Sequence, residues 1–213
     1  MIGPHWRRYP RTTHHPASPG AEPDDTIAAD LSGLAGREFV VTEKMDGENA
    51  TLYRDGFHAR SLDSRGGPSR SRLAALHAAV APLIPEGWRV CGEDLSWRHA
   101  IAYDGLPAPF LAFSIWTDTD LCLGWDDTLR LLQDMMLAPV PVVYRGPWSE
   151  DLLPRLALGL DLERQEGLVA RPADAFLLSD FPRVVLKWVR ANHVQADRHW
   201  RAGVLVPNGV RTP

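Results

Sequence analysis

Hydrophobic and polar residues alternate along several short stretches of the chain, and this pattern predicts a protein rich in β-strands. Apolar or alternating stretches bounded by Gly, Pro or Asp indicate strands at residues 38–42, 50–54, 57–60, 88–93, 110–116, 140–144, 167–171 and 184–189. Asp55 and Gly56 predict a tight hairpin turn between the second and the third of these strands.

Two further stretches have the spacing of helices. From Ser69, apolar residues recur every three or four positions until Pro85 ends the pattern. A second helix is predicted to begin at Asp126 or Asp127, whose side chains can cap it, and to run through Met136. Short strands, hairpins and interspersed helices together predict an α+β fold with antiparallel sheets.

Length and composition divide the chain into three predicted segments. With 213 residues, 45% of them hydrophobic, it is expected to bury one substantial core. Residues 1–36 are rich in Pro, His, Arg, Gly and Asp and lack an apolar period, which predicts an irregular N-terminal arm. The folded domain is expected at residues 37–190, followed by a C-terminal tail at residues 191–213.

The composition favours a cytoplasmic protein. Cys91 and Cys122 lie in apolar stretches without a CxxC pair, so we expect two buried thiols in a reducing compartment. We find no charged leader and no apolar run near the roughly 20 residues that a membrane span needs. Because the net charge is -4, any contact with nucleic acid must come from local patches of positive charge.

The use of lysine gives the first indication of chemistry. Of 23 basic residues, only Lys44 and Lys187 are lysine. Arginine stays protonated, whereas lysine can lose its proton in a suitable pocket and act as a nucleophile. The two amines therefore suggest covalent catalysis, although two surface lysines left over in an arginine-rich chain would give the same count.

Lys44 begins the sequence KMDGEN at residues 44–49, in the predicted loop between the first two strands. A tight loop containing glycine would hold the amine beside Glu43, Asp46 and Asn49, which are polar groups able to position a nucleotide. A solvated hairpin loop is the alternative interpretation of this motif alone.

KMDGEN resembles the nucleophile motif of the ATP-dependent RNA ligases, which belong to the superfamily of covalent lysyl-AMP nucleotidyltransferases. Other pieces that resemble the family follow in its order: Arg60 with Ser61, CGED at residues 91–94, Phe113, EGLVAR at residues 166–171 and VLKW at residues 185–188. The resemblance covers roughly residues 39–190. It implies a nucleotidyltransferase catalytic domain whose antiparallel sheets form an ATP groove.

The resemblance also implies a role for each matching residue. It assigns catalysis to Lys44, Lys187 and Glu166, and nucleotide binding to Glu43, Asn49, Arg60, Glu93, Phe113 and Lys187. Within that set, Glu93 would hold the ribose and Phe113 would stack on the purine. Glu166 and Asp46 would hold Mg²⁺ or Mn²⁺, or its waters. The ordinary alternatives are a core position for Phe113 and salt bridges for Glu93 and Glu166.

The implied reaction begins with ATP. A free lysine has a pKa near ~10.4, and we expect burial, the charge of Lys187 and a bound divalent cation to lower the pKa of Lys44. Its amine would attack the α-phosphorus of ATP, giving lysyl-AMP and pyrophosphate. In the ligase family the AMP then passes to a 5′-phosphate, and a 3′-hydroxyl displaces it to seal the strand.

The chain departs from the family pattern in two places. Val189 stands where many relatives carry a second lysine, and Arg190 would replace that lysine only with a local distortion, because neighbouring strand residues face opposite sides. Only 213 - 187 = 26 residues follow Lys187, too few for the OB-fold that DNA ligases and capping enzymes carry. We therefore expect a bare catalytic domain without a C-terminal OB-fold.

Arginines are the expected contacts to RNA phosphates, since the guanidinium fork donates two hydrogen bonds at once. The candidates are Arg60, Arg65, Arg70, Arg72, Arg190, Arg198 and Arg201, and a solvated charged face is the alternative for each. His193, Asp197 and His199 resemble metal ligands, but they show no fixed ligand geometry and we interpret their spacing as chance.

The predicted function is an ATP-dependent RNA ligase that seals 5′-phosphate and 3′-hydroxyl RNA ends, with an end-healing kinase or phosphatase as a candidate partner. DNA end joining and GTP-dependent capping are variants of the same class. A non-catalytic module that binds nucleotides or RNA ends beside a repair enzyme is the alternative of another class. Val189 favours that alternative, whereas an amine at position 44 favours the ligase, because an arginine would serve a binder.

Overall fold

Two β-sheets form the body of the structure, a computed structural model that describes residues 5–64, 67–191 and 205–211. The first sheet contains, in spatial order, β1 (Thr13–His14), β12 (Leu186–Val189), β10 (Gly167–Pro172), β2 (Glu38–Lys44) and β9 (Val142–Pro147). The second contains β11 (Phe176–Leu177), β7 (Leu121–Cys122), β6 (Phe110–Trp116), β5 (Arg89–Asp94), β3 (Glu48–Tyr53) and β4 (Gly56–Ala59), with β8 (Ala138–Pro139) beside β6. Only the β1–β12 and β6–β8 pairs are parallel among these described strands.

Helices pack against both sheets. The described α-helices are α1 (Ser71–Val80), α2 (Trp125–Asp134), α3 (Leu152–Ala157) and α4 (Phe181–Val184). Short 3₁₀ helices span Ser32–Leu34, Pro68–Arg70, Ala81–Leu83 and Leu178–Asp180. Leu73 of α1 and Leu132 of α2 are buried in one cluster with Val90 and Ile115 of the second sheet, so this sheet and its helices share an apolar core.

A second cluster joins the two sheets. Phe39 and Leu168 of the first sheet are buried together with Trp116 and Phe176 of the second. Burial of apolar surface is the main force that holds such layers together. The shared core therefore fixes the two sheets relative to each other and defines the walls of the space between them.

The predicted α+β architecture with antiparallel sheets is confirmed. β6 has the predicted bounds, and β5 and β10 agree with their predictions to within one residue at each end. The sequence predicts Lys44 in a loop, which is wrong. Lys44 is the last residue of β2, because pairing with Gly167 extends this strand beyond residue 42.

Other differences come from tertiary contacts that leave no periodic signal. α2 begins at Trp125 after Gly124, so Asp126 and Asp127 lie in its first turn and do not cap it. The predicted strand at residues 184–189 is divided between the end of α4 and β12. The sequence does not predict β7, β11 or α3.

The N-terminal arm contributes a strand that the sequence does not predict. β1 pairs with β12, with Thr13 opposite Leu186 and His14 opposite Lys187. The remainder of the described arm is mostly without regular structure, apart from Ser32–Leu34. The proposed boundaries at residues 36/37 and 190/191 stay predictions.

Both cysteines are free and buried. Burial raises the pKa of Cys122 to about 11, which keeps this thiol neutral and unreactive near neutral pH. Among the described residues, no helix combines the length and the apolar character that crossing a bilayer requires.

Candidate active site

A cavity of about 900 Å³ lies between the two sheets, within the range of about 300–1,000 Å³ typical of ligand pockets. Every residue that the sequence assigns to the site lines it: Glu43, Lys44, Asp46, Asn49, Arg60, Glu93, Phe113, Glu166 and Lys187. The motifs that are far apart in the chain thus meet in one cavity.

Strand register places the two lysines on one face of the first sheet. Lys44 of β2 lies opposite Gly167, and Lys187 of β12 lies opposite Val169, two positions along β10. Directly paired residues share a face, and so do residues two apart on a strand. Both amines therefore project to the same face of the sheet, from the two strands that flank β10 and at positions two residues apart along it.

Gly167 allows this arrangement because β10 and β12 approach closely beside it. A Cβ atom at position 167 would lie 2.0 Å from the carbonyl oxygen of Trp188. Any side chain there would separate β10, the strand that follows Glu166, from β12, the strand that carries Lys187.

Glu166 is the immediate partner of Lys44. Its Oε2 accepts a hydrogen bond from Lys44 Nζ at 2.5 Å. Burial lowers the pKa of Lys44, but the carboxylates of Glu166, Glu93 and Asp46 raise it by more, so its pKa lies above the ordinary value. The expectation of a lowered pKa is wrong for this structure, because the carboxylates around the amine outweigh its burial.

The turn after Lys44 is fixed by backbone contacts. Asp46 Oδ2 accepts the Ile101 amide at 2.7 Å, and the Asp46 amide donates to Tyr103 Oη at 2.8 Å. Gly47 packs so closely on the end of β5 that an added Cβ would lie 2.6 Å from the carbonyl oxygen of Asp94. The turn is therefore a rigid element of the cavity wall and not a solvated loop.

Asn49 and Glu93 face each other across β3 and β5. Burial, together with the charges of Glu166 and Asp46, raises the pKa of Glu93 to about 8 despite the nearby Lys44. Oδ1 of Asn49 is buried and has no hydrogen-bond partner among the described residues. A buried carboxyl group and an unsatisfied acceptor suit a ligand that carries hydroxyl groups.

Phe113 owes its position to a β-bulge. Cys91 pairs with Ser114 and Gly92 pairs with Ala112, which leaves Phe113 as the extra residue of β6. A bulge re-aims the side chain of its extra residue. The Phe113 ring is half-buried at the cavity and meets the ring of Tyr9 edge-on, with centroids 5.1 Å apart.

The remaining predicted residues lie nearer the cavity edge. Glu43 precedes Lys44 on β2, and its Oε2 accepts a hydrogen bond from Gln165 Nε2 at 2.9 Å. Burial raises the pKa of Glu43, although Gln165 lowers it in part. Arg60 follows β4 and is exposed, so its guanidinium is accessible to a ligand from solvent.

The family model for RNA ligase matches residues 37–189. The chain belongs to the RNA ligase family. No curated protein sequence matches it.

Solved RNA ligases have a similar fold. Naegleria gruberi RNA ligase superposes with a TM-score of 0.55 at 19% identity, over 75% of this chain and 51% of that one. A variant of the same ligase solved with ATP and Mn gives 0.59 at 17%, over 88% and 57%. An archaeal ATP-dependent RNA ligase gives 0.56 at 19%, over 87% and 48%. At these identities the likeness establishes the fold alone, and the chain spans about half the length of these relatives.

Several of the arginines that the sequence predicts as RNA contacts do not line the cavity of this RNA ligase family member. Arg70 is 5% exposed and holds Glu48 through two hydrogen bonds, at 2.6 and 2.9 Å, so the prediction that it contacts RNA is wrong. Arg72 is exposed and lies 4.8 Å from the centre of the Trp97 ring. Arg190 does not line the described cavity, and its amide donates to the Glu166 carbonyl.

The other proposed contacts, Arg65, Arg198 and Arg201, lie outside the described residues, as do His193, Asp197 and His199. Within residues 5–64, 67–191 and 205–211, no three His, Cys, Asp or Glu side chains are grouped to hold a metal ion. Mg²⁺ usually binds through one or two carboxylates, its own waters and substrate phosphates. Glu166 and Asp46 fit that limited role, and a complete protein cage is not required.

The sequence analysis did not predict the contribution of the N-terminal arm to this cavity. Tyr9 meets Phe113, and Asp25 Oδ1 lies 3.8 Å from Lys187 Nζ. Burial lowers the pKa of Lys187, an effect that Asp25 opposes and Lys44 and Arg60 reinforce. A two-residue strand and a few turns leave no hydrophobic period, so no sequence signal identified these contacts.

Proposed function

We propose that the protein is an ATP-dependent RNA ligase whose Lys44 takes up AMP from ATP. The observation that carries this proposal is the register that places Lys44 and Lys187 on one face of the sheet, beside Glu166. A nucleophilic amine, a second cation and a carboxylate in one cavity are the groups that transfer of a nucleotide to lysine needs. The solved relatives with ATP and Mn support ATP as the nucleotide and a divalent metal as its companion.

In the first step the Lys44 nitrogen attacks the α-phosphorus of ATP. The new N–P bond forms as the bond from phosphorus to the pyrophosphate oxygen breaks. Lys44 must first lose a proton, and Glu166, at 2.5 Å from its nitrogen, is the group placed to accept it. Lys187 would contact phosphate oxygens and stabilise the charge that develops there.

The rest of the cavity would bind and orient the nucleotide. Phe113 presents a ring face for the purine, while Glu93 and Asn49 supply a carboxyl group and an acceptor for ribose hydroxyls. Arg60 would contact phosphate from the exposed edge. A divalent cation held by Glu166 and Asp46 would supply charge neutralisation at the phosphates.

RNA ends with a 5′-phosphate and a 3′-hydroxyl are the proposed substrates. The adenylate would pass to the 5′-phosphate, and attack by the 3′-hydroxyl would release AMP and join the strands. Of the arginines that the sequence predicts as RNA contacts, Arg60 and Arg72 are exposed in the described part of the chain, and Arg60 also lines the cavity. A kinase or phosphatase that prepares such ends stays a predicted partner.

The test of the proposal is a covalent label. Incubation with ATP labelled on the α-phosphate and Mg²⁺ or Mn²⁺ is expected to label the wild type and not Lys44→Ala or Lys44→Arg. The arginine variant is the sharper control, because it keeps the charge that binds phosphate but lacks a nucleophilic amine. A wild type that stays unlabelled with either metal would contradict the proposal.

A second assay separates the substrates. Sealing of RNA carrying a 5′-phosphate is expected, with no sealing of RNA carrying a 5′-hydroxyl. Nicked duplex DNA tests the DNA-ligase alternative, and α-labelled GTP tests the capping alternative.

A non-catalytic binding module is the second candidate, and it is favoured by the absence of a lysine at position 189. Val189 is fully buried at the position of the second lysine, and Arg190 does not line the described cavity. Tight binding of ATP without a covalent adduct would support this candidate over the ligase.

A further inference from the structure

The N-terminal arm brings a carboxylate to the second lysine. Asp25 Oδ1 lies 3.8 Å from Lys187 Nζ, and the two side chains are only 12% and 19% exposed. Asp25 belongs to none of the motifs that line the rest of the cavity. It follows β1 on a segment that the sequence predicts as irregular.

His14 holds this carboxylate in place. The His14 side chain is completely buried, with Nε2 3.0 Å from Asp25 Oδ2 and Nδ1 2.9 Å from Ser18 Oγ. Ser18 Oγ accepts the Val189 amide at 2.9 Å, while the Val189 carbonyl is farther away, at 3.5 Å. The hydroxyl proton of Ser18 is therefore directed to Nδ1, and Nε2 is the ring nitrogen that carries the proton and faces Asp25 Oδ2 at 3.0 Å.

These contacts form a closed path from β12 back to β12. The path starts at the Val189 amide, runs through Ser18, His14 and Asp25, and ends at the Lys187 amine. The backbone anchors it, since the His15 amide donates to the Lys187 carbonyl at 2.8 Å and the Gly20 amide donates to the Val189 carbonyl at 2.9 Å. The arm is thus bonded to β12 both at Lys187, which projects into the cavity, and two residues later at Val189.

A buried carboxylate needs compensating partners, and Asp25 has them. Burial raises its pKa, but the Glu22 amide, Lys187 and His14 together lower it below the ordinary value. Lysine has a long flexible stem and offers no preformed geometry to a phosphate. With Val189 in place of a second lysine, the orientation of this single amine matters more.

We propose that Asp25, held by His14 and Ser18, is a positioning residue that orients Lys187 toward the phosphates of the bound nucleotide. The inference rests on the proposed function, because it concerns the same adenylylation step. Asp25 takes no part in making or breaking bonds. It limits the directions that the Lys187 side chain can adopt before the nucleotide arrives.

The test compares two neighbouring aspartates. Asp25→Asn removes the charge and keeps the shape, and is expected to lower the maximum single-turnover rate of Lys44 adenylylation about tenfold, with a smaller change in the ATP concentration for half-maximal rate. Asp24→Asn is the matched control and is expected to keep the wild-type rate. Its side chain is 76% exposed, and its closest charged partner described is Arg11 at 4.0 Å. Asp25→Glu, which restores a carboxylate, is expected to recover part of the lost rate.

A double variant tests whether Asp25 acts through Lys187. In a Lys187→Ala background, Asp25→Asn is expected to cost little further rate, because the residue that it orients is gone. A full additional loss in that background would overturn the inference. So would equal rates for wild type and Asp25→Asn.

Melting temperatures separate orientation from folding. If Asp25→Asn does not fold, Ser18→Ala carries the test, since it removes one hydroxyl, releases His14 and is expected to slow adenylylation in the same direction. A folded Ser18→Ala protein with the wild-type rate would then overturn the inference. Absence of any adduct in the wild type removes the proposed function itself, whereas an active wild type matched by Asp25→Asn removes only this inference.

Discussion

The two lysines of the cavity share a sheet face, but their pKa values are shifted in opposite directions. Lys44 lies 2.5 Å from Glu166, and the carboxylates around it raise its pKa. Lys187 lies 3.8 Å from Asp25, and burial lowers its pKa. The proposed nucleophile is thus held as an ammonium, while the proposed phosphate ligand loses its proton more readily.

This difference shows what a ligand must change before Lys44 can react. As long as Glu166 faces the amine, its charge favours the protonated form. A divalent cation bound in the cavity would engage Glu166 and add positive charge, and both changes lower the pKa of Lys44. Activation of the amine would then depend on a correctly occupied site.

Glu166→Gln removes the carboxylate in closest contact with Lys44, and so tests the main difference between the two lysines. Loss of the proton acceptor is expected to slow Lys44 adenylylation about a thousandfold, within the range for removal of a general base. The same change removes the charge that raises the pKa of Lys44, so the amine becomes more reactive toward a small acylating reagent. Single-turnover adenylylation and mass spectrometry of the acylated lysines measure the two effects. Loss of adenylylation without a gain in acylation would contradict the electrostatic explanation.

Lys187→Ala tests the other side of the cavity. Removing the cation is expected to slow adenylylation about a hundredfold, as for loss of one group that stabilises transition-state charge. Lys187→Arg should recover part of this loss, since it restores the charge with a different geometry. An adenylylation rate for Lys187→Ala within a fewfold of the wild type would show that the second cation is dispensable.

Motifs in the sequence identified the lysines and the carboxylates around Lys44, but not the contact of Asp25 with Lys187. Lys44 and Lys187 are conspicuous in a chain that otherwise uses arginine, and the resemblance placed both in one groove. The contact of Asp25 with Lys187 was not predicted, because the strand that precedes Asp25, β1, has two residues and pairs only at a sheet edge. Two residues are too few to produce a period.

Two other residues show why charge and pattern alone mislead. In the sequence, Arg70 has the features of a surface cation. In the structure it is buried and paired with Glu48, which is 22 positions away in the chain and so is not recognisable as its partner from the sequence. Phe113, which the resemblance assigns to the purine, lines the cavity, and the bulge that turns it there depends on how Gly92 pairs across the sheet. Pairing register between strands is a property of the folded sheet and is not encoded locally.

The smallest expected effect is the order in which the two lysines react in the wild type. Below both pKa values, the neutral fraction of an amine falls about tenfold for each unit by which its pKa is higher. In metal-free buffer near neutral pH, Lys187 is therefore expected to be acylated severalfold faster than Lys44. The chain has only these two lysines, so peptide mass spectrometry resolves both rates in one experiment. Glu166→Gln is expected to narrow or reverse the order, and faster acylation of Lys44 in the wild type would show that the nucleophile is already deprotonated without a ligand.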